Sequence, residues 1–296
     1  MTDLARDLTG EQAKVRERER AQEQAKAGQG RHAALSLDLV LAVPLAVIVL
    51  AIAAVLVGLG ARLTLGELMA SLGSAETLFA LRLSLTTSLV SLAIAVLLGV
   101  PAAYLLARRR VPGMALIDTL LDLPLVMPPL VAGLGLLFVI GRQSPVPPLA
   151  RLGAELLFSQ AGIVLAQSFV ATTIVLRAAK AAFSAVDPGY RAVAGTLGLS
   201  PARVLWSIDL PLAGGGIAAG VVLAWARALG EFGATLMVAG ATRMHTETLP
   251  MAIFLNIATG ETGVAVACAL VLLSTAFVLL LIIRALGGPA SQRGHS

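Results

Sequence analysis

The sequence predicts an all-α, polytopic membrane protein with about six transmembrane helices. Three observations carry that prediction. Hydrophobic residues make up 57% of the 296-residue chain and charged residues only 13%, about half the ~25% charged share of a soluble domain. The apolar residues fall in long blocks rather than at helical or strand spacing, and such blocks belong in lipid. Six blocks follow a charged N-terminal stretch.

The blocks lie at about 37–60, 79–107, 116–140, 160–183, 212–240 and 262–286. Each exceeds the roughly 20 residues needed to span a ~30 Å hydrocarbon layer. Hydrocarbon offers the backbone no partners, so each block is expected to be helical. Pro101 and Pro128-Pro129 remove intrahelical bonds and predict local kinks. The organisation is therefore a charged tail at 1–36, a transmembrane domain at 37–286 and a short tail at 287–296. The first tail is rich in Ala, Glu, Gln and Arg, as in a frayed helix or a disordered segment. It is too long and too charged for a usual secretory signal.

Orientation follows from Lys and Arg in the connections. With the N-terminus inside, the cytoplasmic side holds the tail together with Arg108, Arg109, Arg110, Arg177, Lys180, Arg191, Arg203, Arg284 and Arg293. The outside holds the smaller set Arg62, Arg82, Arg142, Arg151 and Arg243. The positive-inside rule places both termini in the cytoplasm of a multi-pass protein of the cytoplasmic (inner) membrane. The pI near 10.1 is explained by that asymmetry, and no nucleic-acid partner is required. The lone Cys268 sits in an apolar block and reads as a packing residue, with no disulfide or metal role.

The connection after the fourth block, within 185–211, carries more structure than a linker needs. Asp187-Pro188 is an N-cap with proline at the first helical position, and Ser200-Pro201 repeats it. Gly198 stands where a helix ends in a left-handed residue. Two short helices, about 188–197 and 201–208, are expected, with Pro211 closing the second. Their apolar residues Tyr190, Val193, Leu197, Val204, Leu205 and Trp206 suggest a docking surface, or an amphipathic pair lying on lipid headgroups.

This connection resembles the cytoplasmic loop of importer permeases of the ATP-binding-cassette (ABC) class, which reads Glu-Ala-Ala, three residues, Gly, nine residues, Ile, one residue, Leu-Pro. Gly198 is followed by nine residues and then Ile208, Asp209, Leu210 and Pro211. The start departs from the pattern, with Ala192-Val193-Ala194 in place of Glu-Ala-Ala. The resemblance covers most of the chain from about residue 78. It implies a MetI-like ABC permease fold. It also implies that Ala192, Val193, Ala194, Gly198, Ser200, Pro201, Arg203, Ile208, Leu210 and Pro211 form a loop coupling the permease to an ATPase. The missing glutamate bears on any salt bridge to that partner.

Further stretches narrow the resemblance. Ala226-Arg227-Ala228-Leu229-Gly230-Glu231-Phe232-Gly233-Ala234-Thr235 looks like the fifth-helix motif of molybdate and related oxyanion permeases. Asp122 to Pro129 and Thr246-Glu247-Thr248-Leu249-Pro250 are similar to stretches of the same subfamily. The resemblance implies transport of an oxyanion, molybdate first, with tungstate and sulfate or thiosulfate as alternatives.

Arg227 and Glu231 fall near the middle of the fifth block, four residues apart, so they share a helix face. Charges there cost about 2.5–3.5 kcal/mol each on insertion scales. Either the two form a structural ion pair or the segment lines the anion path. Arg227, Gly230, Glu231, Phe232, Gly233 and Thr235 are the path or gate candidates. The hydroxyls of Ser84, Thr86, Thr87, Ser88 and Ser91 on the second block read as helix-to-helix bonds in preference to pore lining.

No Gly-x-x-x-x-Gly-Lys-Ser/Thr loop, paired carboxylates, metal cluster or nucleophile elbow stands out. The chain is expected to catalyse nothing and to bind no cofactor itself. On the resemblance, ATP with Mg belongs to two cytoplasmic ATPase subunits, an extracytoplasmic binding protein delivers the substrate, and two copies of this chain form a two-fold homodimer. Two other classes compete. An ion-gradient-driven secondary transporter predicts inverted repeats, and residues 37–140 and 160–286 show none that convinces. A membrane scaffold would account for the helices and the docking loop but not for the segment 227–235.

Overall fold

The computed structural model describes residues 40–62, 64–108, 113–142 and 144–286. The tails at 1–36 and 287–296, and Arg109 and Arg110, lie outside the described residues. The chain divides into two units at Ala61–Arg62. The first contributes one described helix, α1 (Val40–Gly60), long and apolar enough to cross a membrane.

The second unit is helical. α2 (Leu65–Leu72) opens on a reciprocal cap between Thr64 and Glu67. α3 (Ala75–Arg108) follows as one 34-residue helix that contains Pro101 without ending there. α4 (Met114–Val126) and α5 (Pro129–Ile140) meet at 114°, so the single third span expected at 116–140 is a broken one. A residue before proline is pushed out of the α region, and this happens twice in succession. Met127 and Pro128 have ψ of 132° and 135°, and the helix restarts with Pro129 at its first position.

α6 (Pro147–Leu156), α7 (Gln160–Ser184) and α8 (Pro188–Thr196) come next. α9 (Pro201–Val204) passes through a π turn at Leu205–Asp209 into α10 (Leu210–Leu229). Pro211 therefore does not close the second elbow helix, and a continuous rod runs from Pro201 to Leu229. In a regular helix the Pro211 ring would press on the Ser207 carbonyl. The wide turn, bonded from Leu210 N to Leu205 O, relieves that clash. The fifth span expected at 212–240 also breaks, at Gly230, before α11 (Gly233–Ala239). α12 (Leu249–Thr259) and α13 (Thr262–Leu286) complete the described chain. Among the described residues, five helices are long and apolar enough to span a membrane, and the bent pair makes a sixth.

α7 is the centre of the second unit. Its Ala171, Val175, Ala179 and Phe183 are buried against α3 and α10. Small residues permit that approach, since lipid supplies no hydrophobic drive for helix association. A Cβ on Gly220 would lie 2.1 Å from the Cβ of Ala178. Hydroxyls on α3 then bond neighbouring helices. Ser84 Oγ accepts from Leu249 N at 2.7 Å, Ser88 Oγ accepts from Trp225 Nε1 at 3.0 Å, and Ser91 Oγ donates to Val164 O at 3.1 Å. Thr86 and Thr87 bond their own helix. Cys268 packs with Ala80, Leu249 and Ala252.

Candidate functional site

Two regions of the second unit depart from plain helix packing. The first is the elbow between α7 and α10. Asp187 Oδ1 accepts from Gly189 N at 2.7 Å, and Ser200 Oγ accepts from Arg203 N at 3.4 Å, so both caps are made. α8 closes with Leu199 N bonded to Ala194 O and Gly198 N bonded to Gly195 O, each at 3.1 Å. This two-bond closure needs a left-handed residue, and Gly198 supplies it at φ 72°.

Tyr190, Val193, Leu197 and Trp206 are more than half exposed. Tyr190, Val193, Ala194, Leu197, Leu199 and Ile208 line an open hollow of about 530 Å³. Val204 and Leu205, expected on the same surface, instead face inward. Val204 is buried, and Leu205 packs against the α3–α7 core. The π turn makes α9 continuous with α10, so their inner faces run together. Ala192, Ser200, Pro201, Arg203 and Pro211 are exposed, and Leu210 is half-buried.

Beneath the elbow lies a cluster that sequence reasoning missed. Asp209, in the π turn, is fully buried. Its carboxylate accepts from Arg108 Nη2 at 2.8 Å and from Tyr104 OH at 3.0 Å, with Arg191 Nε at 3.6 Å. The sequence signal was a lone carboxylate at the mouth of an apolar block, in the variable position between Ile208 and Leu210.

The second region is a cleft of about 530 Å³, where the break in the α4–α5 pair meets the break between α10 and α11. Pro128, Pro129, Leu130, Arg227, Glu231 and Phe232 are among its walls, with Gly230 and Gly233 at the turn. The breaks touch closely, for a Cβ on Gly233 would stand 2.8 Å from the Cβ of Pro129. Arg227 Nη1 bonds Glu231 Oε2 at 2.5 Å. The expected pair is therefore formed, but across the end of α10 rather than along an unbroken helix. Glu231 is buried, and its Oε1 also accepts from Ala234 N at 2.9 Å. Arg227 keeps 37% of its side chain exposed. Thr235 is buried and is not among the cleft walls.

A third polar group joins the opposite ends of the helices. Glu76 at the start of α3 accepts from Asn256 Nδ2 at 2.6 Å and pairs with Arg243 at 3.5 Å. Glu247 lies beside it, fully buried, with Oε2 accepting from Met244 N at 2.9 Å. Burial first, and then the neighbouring Glu76, raises the Glu247 carboxyl above its ordinary 4.5, against the opposing effects of the Met244 amide and Arg243.

Residues 95–288 match the family of binding-protein-dependent transport system inner membrane components. The molybdenum transport system permease protein ModB of Mycobacterium tuberculosis is 39% identical over 227 residues, covering 76% of this chain and 86% of that protein. ModB of Escherichia coli is 39% identical over 209 residues, covering 69% and 90%. The molybdate/tungstate permease WtpB of Thermococcus kodakarensis is 41% identical over 160 residues, covering 54% and 60%. Among solved structures, a bacterial alginate ABC transporter bound to its periplasmic protein superposes with a TM-score of 0.66 at 16% identity, covering 84% of this chain and 94% of that one. The MetNI methionine ABC transporter gives 0.56 at 15%, covering 69% and 93%. At those identities the likeness is one of fold.

Proposed function

The chain belongs to the family of binding-protein-dependent transport system inner membrane components, and on that premise we propose that it is the molybdate-conducting permease of an ABC importer. It is a multi-pass membrane protein and a transport-system component. The observation that carries the anion path is the meeting of two helix breaks at Arg227. In hydrocarbon, irregular backbone survives where protein or a water-filled cavity surrounds it. The cleft at Pro128–Leu130 and Gly230–Gly233 meets that condition and holds a partly exposed guanidinium.

A guanidinium offers forked donors to a tetrahedral dianion. Glu231 already takes one of its nitrogens, which weakens any resident anion site. The arrangement suits passage better than storage, and selectivity is left largely to the binding protein. Two ATPase subunits, each holding ATP with Mg, dock at the exposed faces of α8 and α9. An extracytoplasmic binding protein delivers the anion to a homodimer, and both termini lie in the cytoplasm. Nucleotide-driven closure of the ATPases moves the elbows, and the dimer alternates between outward and inward openings. Tungstate is the second reading, favoured by the similarity to the Thermococcus kodakarensis permease.

The test is uptake of labelled molybdate, tungstate and sulfate into vesicles holding the permease, its ATPase and the binding protein. ATP-dependent molybdate uptake is expected, with sulfate left outside. Glu231→Gln should lower it about tenfold while the ATPase stays bound, a magnitude reduced from the buried-pair value because Arg227 is partly exposed. Unchanged uptake in that variant removes the pair from the path.

A further inference from the structure

We infer that the Arg191–Asp209 contact is the tie through which movement of the elbow reaches the bundle, with Asp209 acting as a positioning residue. The inference rests on the permease reading above. It starts from how little else holds α8. Ala194 is the buried residue of that helix, and Arg191 is its single charged one. Tyr190 and Val193 face outward.

The tie has a firm half and a loose half. Arg108 at 2.8 Å and Tyr104 at 3.0 Å hold opposite oxygens of the Asp209 carboxylate, which joins the last turns of α3 to the root of α10. Tyr104 is itself braced edge-on against Phe183 of α7, with ring centroids 5.1 Å apart. Arg191 stands 3.6 Å from the same carboxylate, beyond a good hydrogen bond, and its Nε has no hydrogen-bond partner. Its side chain is 29% exposed, against 9% for Arg108. One carboxylate thus serves two arginines, and the one on the elbow is bound less closely. A small shift of α8 tightens or frees that contact without disturbing the α3–α10 joint.

The backbone at the joint suits this role. Asp209 lies in a π turn, where the bond from Leu210 N to Leu205 O spans one residue more than in an α-helix. Such turns interrupt the regular ladder and recur at functional sites. With Ala192-Val193-Ala194 in place of Glu-Ala-Ala, the single charge on α8 is Arg191. That charge is directed inward to Asp209, whereas the partner subunit meets the apolar face.

The experiment compares wild type, Arg191→Gln, Arg191→Lys and Arg108→Gln in vesicles with the ATPase and binding protein, measuring molybdate imported per ATP hydrolysed. Arg191→Gln should keep the ATPase bound and hydrolysing, yet import less molybdate per ATP, within the roughly 5- to 150-fold range of a site-to-site coupling. Arg191→Lys should recover part of the ratio, because the charge returns without the planar fork. Arg108→Gln should instead lower the melting temperature, since it loosens the α3–α10 joint. A wild-type ratio in Arg191→Gln overturns the tie, and so does loss of ATPase binding, which would make Arg191 a docking residue. Absence of ATP-dependent transport in the wild-type assembly would overturn the permease reading itself, and the tie with it.

Discussion

Replacing Gly198 by alanine adds a methyl group in open space, since no atom lies within 4 Å of the new Cβ. The cost is then conformational and not steric. At φ 72° an L-residue with a Cβ is penalised by roughly 1–2 kcal/mol, and the closure of α8 by Leu199 N and Gly198 N is what that energy works against. A loop held by this closure should lose docking-competent population by about 5- to 30-fold over that range. The assay is titration of solubilised permease with its ATPase subunit. Gly198→Ala should weaken binding within that range, and Gly198→Asn should weaken it less, because asparagine tolerates the left-handed region. Gly195→Ala is the control. It lies inside α8 with open space around its Cβ, where alanine favours the helix by roughly 0.5–1 kcal/mol. It should leave binding equal or slightly tighter. Wild-type affinity in Gly198→Ala, or equal damage from Gly195→Ala, would refute the reasoning.

Two further outcomes follow from the helix joints. Ser84→Ala leaves the buried Leu249 amide at the start of α12 without its acceptor, which should cost about 1–3 kcal/mol and show as a lower melting temperature in detergent. Glu247→Gln should remove a pH dependence. The raised Glu247 carboxyl favours its protonated form in the fold, so its stabilisation is full below the ordinary value of 4.5 and is lost as pH rises through the raised folded value. Glu76 and Arg243 act on it directly, and Arg243 in turn pairs with Glu76 and Glu261. The melting temperature of wild type should therefore fall relative to Glu247→Gln as pH climbs from 4.5, and parallel curves would exclude Glu247 as the source.

The elbow was legible because its signals are local. Asp187-Pro188, Ser200-Pro201 and Gly198 each act within one helical turn, through a side-chain cap, a pre-set φ and a left-handed residue. The spans were legible for the same reason, as hydropathy accumulates along consecutive residues. Prolines inside apolar blocks were read correctly at Pro128-Pro129, where the expected kink is a break, and wrongly at Pro211. Pro211 looked like a terminator, yet a π turn absorbs it. Pro101 stays within α3, whereas Pro128 breaks its block through 114° because Pro129 follows at once. Gly230 ends α10 between the charged Arg227 and Glu231, inside an otherwise apolar block. The Asp209 cluster was beyond reach, since Tyr104 and Arg108 precede it by 105 and 101 residues and only folding brings them together.

The two breaks explain each other. A helix interrupted in hydrocarbon leaves amides unpaired, at a cost of several kcal/mol for each one. Prolines at 128 and 129 carry no amide hydrogen, so the first break exposes few donors. In the second, Glu231 takes the Ala234 amide with the oxygen that Arg227 leaves free. Gly233 then brings the breaks into contact, where any larger residue would strike Pro129. Charge is therefore present at mid-block because the broken backbone requires an acceptor, and Arg227 is present because a buried carboxylate requires a cation. The polar lining of the cleft follows from the repair of the helix ends. Substitutions that heal either break should close the cleft together with the path proposed to run through it.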